Sequence, residues 1–236
     1  MMRLILLPAF DGTGSMFNAL VKELGNAFET TVISYPGSGP QDYSTLTDGI
    51  RKQIHETADY VVLGESFAGP IVYQVAVRDA EKCKGAIFVA TYLTNPNPLV
   101  LKILTAMPPL LLSFFLSRPS MVRALSLSRE ADDAVAKAIA KNFRSVNPNA
   151  IRQRLMAIAN LDTAPTQELT IPCLCIQATK DKLVPEHKLI DLKRVCRSLD
   201  VRQVAGGHFI LQEAPGDAAE LVRAFCQNLT AKPEDL

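Results

Sequence analysis

Gly64-Glu65-Ser66-Phe67-Ala68-Gly69 stands between an apolar run, residues 60–63, and a stretch of helical periodicity, residues 70–80. A serine at such a strand-to-helix corner is held on a turn so sharp that its hydroxyl stands clear of the sheet. Small residues are needed two positions before and after it, where larger side chains would strike the neighbouring strand and helix. Gly64 meets the first need and Ala68, one methyl larger than glycine, meets the second. A serine hydroxyl is a weak nucleophile near neutral pH. It needs a base within hydrogen-bond reach, and that base needs a carboxylate to fix its tautomer. The chain offers three histidines: His55, His187 and His208.

Which of them can reach Ser66 depends on the elements around it. Strand-like apolar runs fall at Arg3–Leu7, 31–34, 60–63, 85–90, 173–178 and 200–204, and helical periodicity at 15–24, 46–57, 70–80, 186–196 and 217–229. Short, nearly all-apolar strands alternating with helices predict an α/β fold: a doubly wound, mostly parallel six-stranded sheet covered on both faces. The rhythm breaks at residues 91–170, which open with Asn95-Pro96-Asn97-Pro98 and carry helical stretches near 99–106, 121–127, 129–143 and 150–159. That interval reads as a helical cap inserted in a core made of residues 1–90 and 171–236. Residues 99–116 are apolar enough to line a pocket, or to serve only as a packing surface against the core.

Functional groups of an open parallel sheet gather beyond the carboxyl ends of its strands. Ser66, Asp181 and His208 each follow such an end, and so do Pro8-Ala9-Phe10-Asp11-Gly12-Thr13-Gly14. His55 lies on a helix ahead of a strand start, which directs it to the opposite edge; His187 opens a helix near the mouth without a glycine hinge. His208 follows Gly206-Gly207, whose freedom allows a turn that swings the ring over the sheet edge, so it is the expected base. For the acid, Asp200 precedes a strand, Asp191 is mid-helix and Asp162 lies in the return from the cap. Asp181, in the loop right after a strand, is preferred. Backbone N–H groups of Phe10 and Phe67 are the expected oxyanion donors, each worth about 100- to 1000-fold in rate. Glu65 and Asp11 stand close by, with solvated or capping roles expected. Asp11-Gly12-Thr13-Gly14 lacks the third glycine of a dinucleotide loop, and Tyr35-Pro36-Gly37 puts no acid after the second strand.

With its serine, acid and histidine in that chain order, the sequence resembles the α/β-hydrolase superfamily over nearly its whole length. The resemblance rests on Gly64-Glu65-Ser66-Phe67-Ala68-Gly69-Pro70, Leu7 to Gly14, the Asp181 loop and Gly207-His208-Phe209. It implies a serine hydrolase with Ser66 as nucleophile, His208 as base, Asp181 as acid and donors at Phe10 and Phe67, using no metal or organic cofactor. The expected substrate is a small-molecule acyl ester or thioester. Two other uses of the fold stay open: acyl transfer or carbon–carbon hydrolysis by the same triad, and ligand binding without catalysis. Pro8-Ala9 departs from the His-Gly or Pro-Gly commoner in this loop and crowds the turn before Phe10.

Bulk properties narrow the rest. A chain of 236 residues, 48% hydrophobic, buries about 70% of its unfolded surface. Its 25 basic and 24 acidic residues are intermixed, and no basic stripe points to nucleic acid. Five cysteines, Cys83, Cys173, Cys175, Cys196 and Cys226, are odd in number and form no C-x-x-C pair, which reads as buried free thiols in a reducing, cytoplasmic setting. Met1 to Leu7 is too short for a signal peptide and serves better as a first strand. Lys102 and Pro108-Pro109 interrupt residues 99–116, so a membrane-spanning helix is not expected there, although attachment to a membrane through this segment is the one such reading the sequence leaves.

Overall fold

The computed structural model describes residues 2–56 and 58–230. Six strands, β1 (Arg3–Leu7), β2 (Glu29–Val32), β3 (Tyr60–Glu65), β4 (Cys83–Val89), β5 (Leu169–Ala178) and β6 (Cys196–Val204), form one sheet in the order β2-β1-β3-β4-β5-β6. Every pairing is parallel. The crossovers are α1 (Asn18–Leu24), entered through a 3-10 turn at Ser15–Phe17, then α2 (Tyr43–Ile54), α3 (Gly69–Arg78) and α9 (Leu189–Val195). After β6 come α10 (Ile210–Glu213) and α11 (Pro215–Thr230).

Alternation along the strands divides the core in two. Leu4, Leu6, Val61, Leu63, Leu174 and Ile176 pack with Leu20, Ala218 and Val222 on the face covered by α1 and α11. Ile5, Leu7, Val62, Phe88 and Cys175 pack with Ile50, Ile71, Val75 and Leu192 on the other face, beneath α2, α3 and α9. All five cysteines are free and buried.

Observed and expected elements differ at the sheet's edges and in β5. This interior strand begins at Leu169, inside the interval 91–170, rather than at residue 173, its residues 170–172 being exposed or half-buried. β2 begins at Glu29 rather than residue 31, in register with Arg3, and the two residues are ion-paired. β6 begins at Cys196, where a helix end was expected, and Asp200 lies inside this strand, paired with Arg202 at 3.0 Å, rather than ahead of it. Edge strands keep one face in water, so their polar positions look like loop. α2 starts at Tyr43 because Asp42 caps it, accepting the Thr45 N–H at 2.9 Å. Thr57, Met1 and residues 231–236, included in the expected elements, lie outside the described residues.

Between β4 and β5 run five helices: α4 (Pro98–Ala106), α5 (Pro109–Leu116), α6 (Pro119–Ser126), α7 (Asp133–Ser145) and α8 (Pro148–Ala159). α5 is the helix that the sequence reading left unassigned. Pro109 occupies its first turn, where a missing N–H costs nothing, so the proline pair starts a helix as well as ending the previous one.

Candidate active site

β3 ends at Glu65, and Ser66 has φ of 52°, a left-handed conformation that costs a non-glycine residue about 1–3 kcal/mol. The chain then enters a 3-10 turn, Ser66–Ala68, that leads into α3. A Cβ on Gly64 would stand 2.5 Å from a Val72 methyl and 2.8 Å from the Ala68 Cβ, which is why the corner needs glycine there. The Thr91 hydroxyl donates to the Ser66 carbonyl and ties the corner to the segment after β4.

The three expected side chains meet. Ser66 Oγ lies 2.7 Å from His208 Nε2, and His208 Nδ1 lies 2.9 Å from Asp181 Oδ2. Asp181 Oδ1 accepts the N–H groups of Leu183 at 2.8 Å and Val184 at 2.9 Å, so both carboxylate oxygens are fixed. The His208 backbone N–H donates to the Ser126 carbonyl, at the end of α6, at 2.7 Å. Gly207 is required here for space rather than for freedom: its φ is not positive, but a Cβ would stand 2.6 Å from both Ser126 O and Ser128 N. His55 sits exposed at the opposite end of the sheet, where its carbonyl accepts the Lys82 ammonium; His187 lies exposed on a 3-10 turn, and Asp162 is exposed.

Burial sets the electrostatics. It pulls the His208 pKa down, but the adjoining Asp181 carboxylate, with help from Glu65, more than offsets this and leaves it above the ordinary histidine value. For Asp181 burial acts upward, and the charge and hydrogen bond of His208 with the two backbone donors bring it below the usual carboxylate value. Of the solvated or capping roles expected for Glu65 and Asp11, burial rules out the first for both, since they are 1% and 2% exposed, and Asp11 takes the second. Burial pushes Glu65 up to about 7 against a 3.1 Å hydrogen bond from Gln212 and the attraction of His208. Asp11 is raised by burial too, though its Oδ2 caps the turn by accepting the Thr13 N–H at 3.1 Å.

Arg154, on α8, escaped the sequence reading entirely. It is 1% exposed and reaches from α8 into the loop after β1. Its Nη1 donates to the carbonyls of Phe10 at 2.9 Å and Asp11 at 2.7 Å, its Nη2 to that of Pro36 at 3.4 Å, and its Nε to Gln41 Oε1 at 2.9 Å. Gly12 is left-handed, with φ of 70°, and a Cβ there would lie 2.4 Å from Arg154 Nη1, so glycine is needed twice over. One signal was available: Arg154 is three residues after Ile151 and four before Ile158, both buried, which puts it on the apolar face of its helix.

Above Ser66 and His208 opens a cavity of about 480 Å³. Its walls are apolar side chains of α4, α5 and α6, Leu101, Leu104, Leu112, Leu116 and Val122 among them, with Phe10, from the loop after β1, on the side of the sheet. Residues 99–116 therefore line a pocket as well as packing.

A parallel α/β sheet with a serine on a strained corner, an imidazole on its hydroxyl and a carboxylate on the imidazole is the architecture of the α/β hydrolases. Residues 4–221 match the profile of the alpha/beta hydrolase family, and the chain belongs to that family. Among solved structures it resembles a thermophilic esterase from Thermogutta terrifontis, with TM-score 0.81 and 15% identity over 98% of this chain and 91% of that one. It also resembles the enol-lactonase from Burkholderia xenovorans, with TM-score 0.84 and 16% identity over 96% of this chain and 91% of that one. The RedJ thioesterase of the prodiginine pathway in Streptomyces coelicolor superposes with TM-score 0.73 and 19% identity, over 95% of this chain and 85% of that one. At such identities the likeness is one of fold. No curated protein sequence matches the chain.

Proposed function

We propose that this protein hydrolyses a carboxylic ester or thioester through an acyl-enzyme on Ser66. The observation that carries the reading is the unbroken path of hydrogen bonds from Ser66 through His208 to Asp181 at the floor of an apolar cavity. Ser66 Oγ attacks the substrate carbonyl while His208 Nε2 takes its proton. The imidazolium, stabilised by Asp181, returns the proton to the leaving alcohol or thiol. Water then enters and attacks the acyl carbon as His208 takes its proton; the bond to Ser66 Oγ breaks, the imidazolium returns the proton to that oxygen, and the acid leaves. The carbonyl oxygen, negative in each tetrahedral intermediate, would be held by the N–H groups of Phe67 and Phe10. Phe67 lies in the first turn of a helix, whose N–H groups lack intrahelical acceptors. The helices between residues 91 and 170 act as a cap that shapes the acyl site.

A series of p-nitrophenyl esters tests the substrate side. Burial of each added methylene in the cavity should raise kcat/KM up to about fourfold until the cavity is filled. A profile that is flat or falls from acetate onward would argue that the cap cavity does not hold the acyl chain.

The pH profile tests the base. His208 must be neutral to accept a proton, and its pKa is raised, so activity should be present at alkaline pH and lost as pH falls through a value above 6.5. Ionised Glu65 is among the groups that raise it. Glu65→Gln should therefore move the acid limb to lower pH with little change in the alkaline plateau. An acid limb that stays in place, or moves upward, would show that Glu65 does not act on His208.

A further inference from the structure

The two cap helices that wall the cavity are apolar on their outer sides as well. Leu99 and Ile103 on α4 are 70% and 59% exposed, and Leu110 and Phe114 on α5 are 76% and 51% exposed. Each pair is spaced by four residues and so shares one helix face. An apolar surface of this kind on a folded protein marks a contact with something. Its charges indicate what that is. From Lys82 to Arg129 the sequence has no Asp or Glu, in a chain whose net charge is only +1; of the basic residues there, Lys84 and Arg123 pair with Asp59 and Asp133, and Lys102, Arg118 and Arg129 make no ion pair among the described residues. Beside α5 runs an open groove of about 600 Å³, lined by Leu110, Ser113, Phe114, Arg118 and Arg144 among others. The Arg118 guanidinium lies 4.2 Å over the Phe114 ring, and Arg144 Nε donates to the Ser117 carbonyl at 3.4 Å. Neither arginine has a carboxylate partner among the described residues.

We propose that this face of the cap seats the protein on an anionic lipid bilayer. Leu99, Ile103, Leu110 and Phe114 enter the boundary between headgroups and acyl chains, and Arg118 and Arg144 meet lipid phosphates. The protein lies on the membrane and does not span it. No single helix among the described residues is long and apolar enough to cross, and α4 and α5 are bent by 118° relative to each other. Eight or nine helical residues reach only about 12–14 Å, under half the hydrocarbon thickness. A second copy of the chain is a poorer occupant, because a two-fold contact would set Arg118 and Arg144 against positive charge on the same patch of the other copy. Since the inner faces of these helices line the cavity above Ser66, a lipid-borne acyl chain would have a short route inward, a consequence that rests on the proposed hydrolysis. The attachment itself does not.

Sedimentation with vesicles of phosphatidylcholine alone, or with about a third of phosphatidylglycerol added, tests the attachment. The protein should pellet with the anionic vesicles, stay largely free of the neutral ones, and be released from the former by high salt. Leu110→Asp with Phe114→Asp should abolish binding, and Arg118→Gln with Arg144→Gln should weaken it roughly thirtyfold, two basic side chains' worth at such a surface. Far-UV circular dichroism and Tm serve as the folding check; if the aspartate pair fails it, the glutamine pair decides. Ser66→Ala protein should bind like the parent, which separates this result from any failure of the hydrolase reading. Equal binding to both vesicle types, binding untouched by the variants, or no binding together with a dimer that Leu110→Asp dissociates would each overturn the proposal.

Discussion

Ser66→Ala should lower kcat on a p-nitrophenyl ester by roughly four to six orders of magnitude, equivalent to about 5–8 kcal/mol of barrier. Fluorophosphonate labelling of the protein should vanish with it. Alanine keeps the backbone strain at φ 52° and removes only a hydroxyl, so Tm should hardly move, and the loss would report chemistry rather than folding. His208→Ala should cost about as much, and the double variant no more than either single one. Once the nucleophile is gone, the base has no proton to take. Asp181→Asn should cost roughly three to four orders of magnitude, because an amide can present its N–H to Nδ1 and hold the wrong tautomer. Retention of even a tenth of the parental kcat by Ser66→Ala would place the nucleophile elsewhere. Additive losses in the double variant would mean that Ser66 and His208 do not work as one unit.

How far the sequence could foresee this site depends on where each residue draws its reasons. The central strands were legible because β1, β3 and β4 are buried on both sides and read as unbroken apolar runs. The edge strands β2 and β6 have half-exposed polar positions, and their starts were misplaced by two and four residues. Ser66, Asp181 and His208 could be grouped in advance because each follows a strand, and parallel topology alone brings such positions to one rim. Glu65 was misjudged for the opposite reason: its environment is set by Gln212, from α10, a helix too short to leave a periodic signal. Gly207, just before His208, was singled out for its freedom when it is space that matters, since its neighbours across the fold, Ser126 and Ser128, lie at and just beyond the end of α6. The cap cavity, which exists only once five helices close over the sheet, had no one-dimensional trace beyond the apolar character of residues 99–116.

Arg154 is where that unread tertiary information should matter most for stability. Arg154→Leu removes a buried cation whose four hydrogen bonds serve three backbone carbonyls and Gln41; the Phe10, Asp11 and Gln41 oxygens lose their donor, while the Pro36 carbonyl keeps the Gln41 amide at 3.1 Å. Leaving buried acceptors unpaired costs about 1–3 kcal/mol each, so with the relief of the buried cation's desolvation set against it the loss is expected to be about 3–5 kcal/mol, or roughly 6–20 °C in Tm for a chain of this size. Arg154→Lys should recover only part of this, because an ammonium cannot reproduce the planar fork whose Nη1 holds the Phe10 and Asp11 carbonyls while Nη2 and Nε hold Pro36 and Gln41. The catalytic consequence is separable from the thermodynamic one. Arg154 clamps the loop whose Phe10 N–H is proposed to hold the oxyanion, and a donor turned away from the reacting oxygen weakens the transition state more than substrate binding. At a temperature well below the lowered Tm, Arg154→Lys should therefore show kcat reduced by up to about 100-fold with KM little changed. If Tm falls while kcat is preserved, the loop is aimed by other bonds. The Tyr35 hydroxyl on the Pro8 carbonyl at 2.8 Å is the candidate, and Arg154 would then be a tie between cap and core with no part in aiming Phe10.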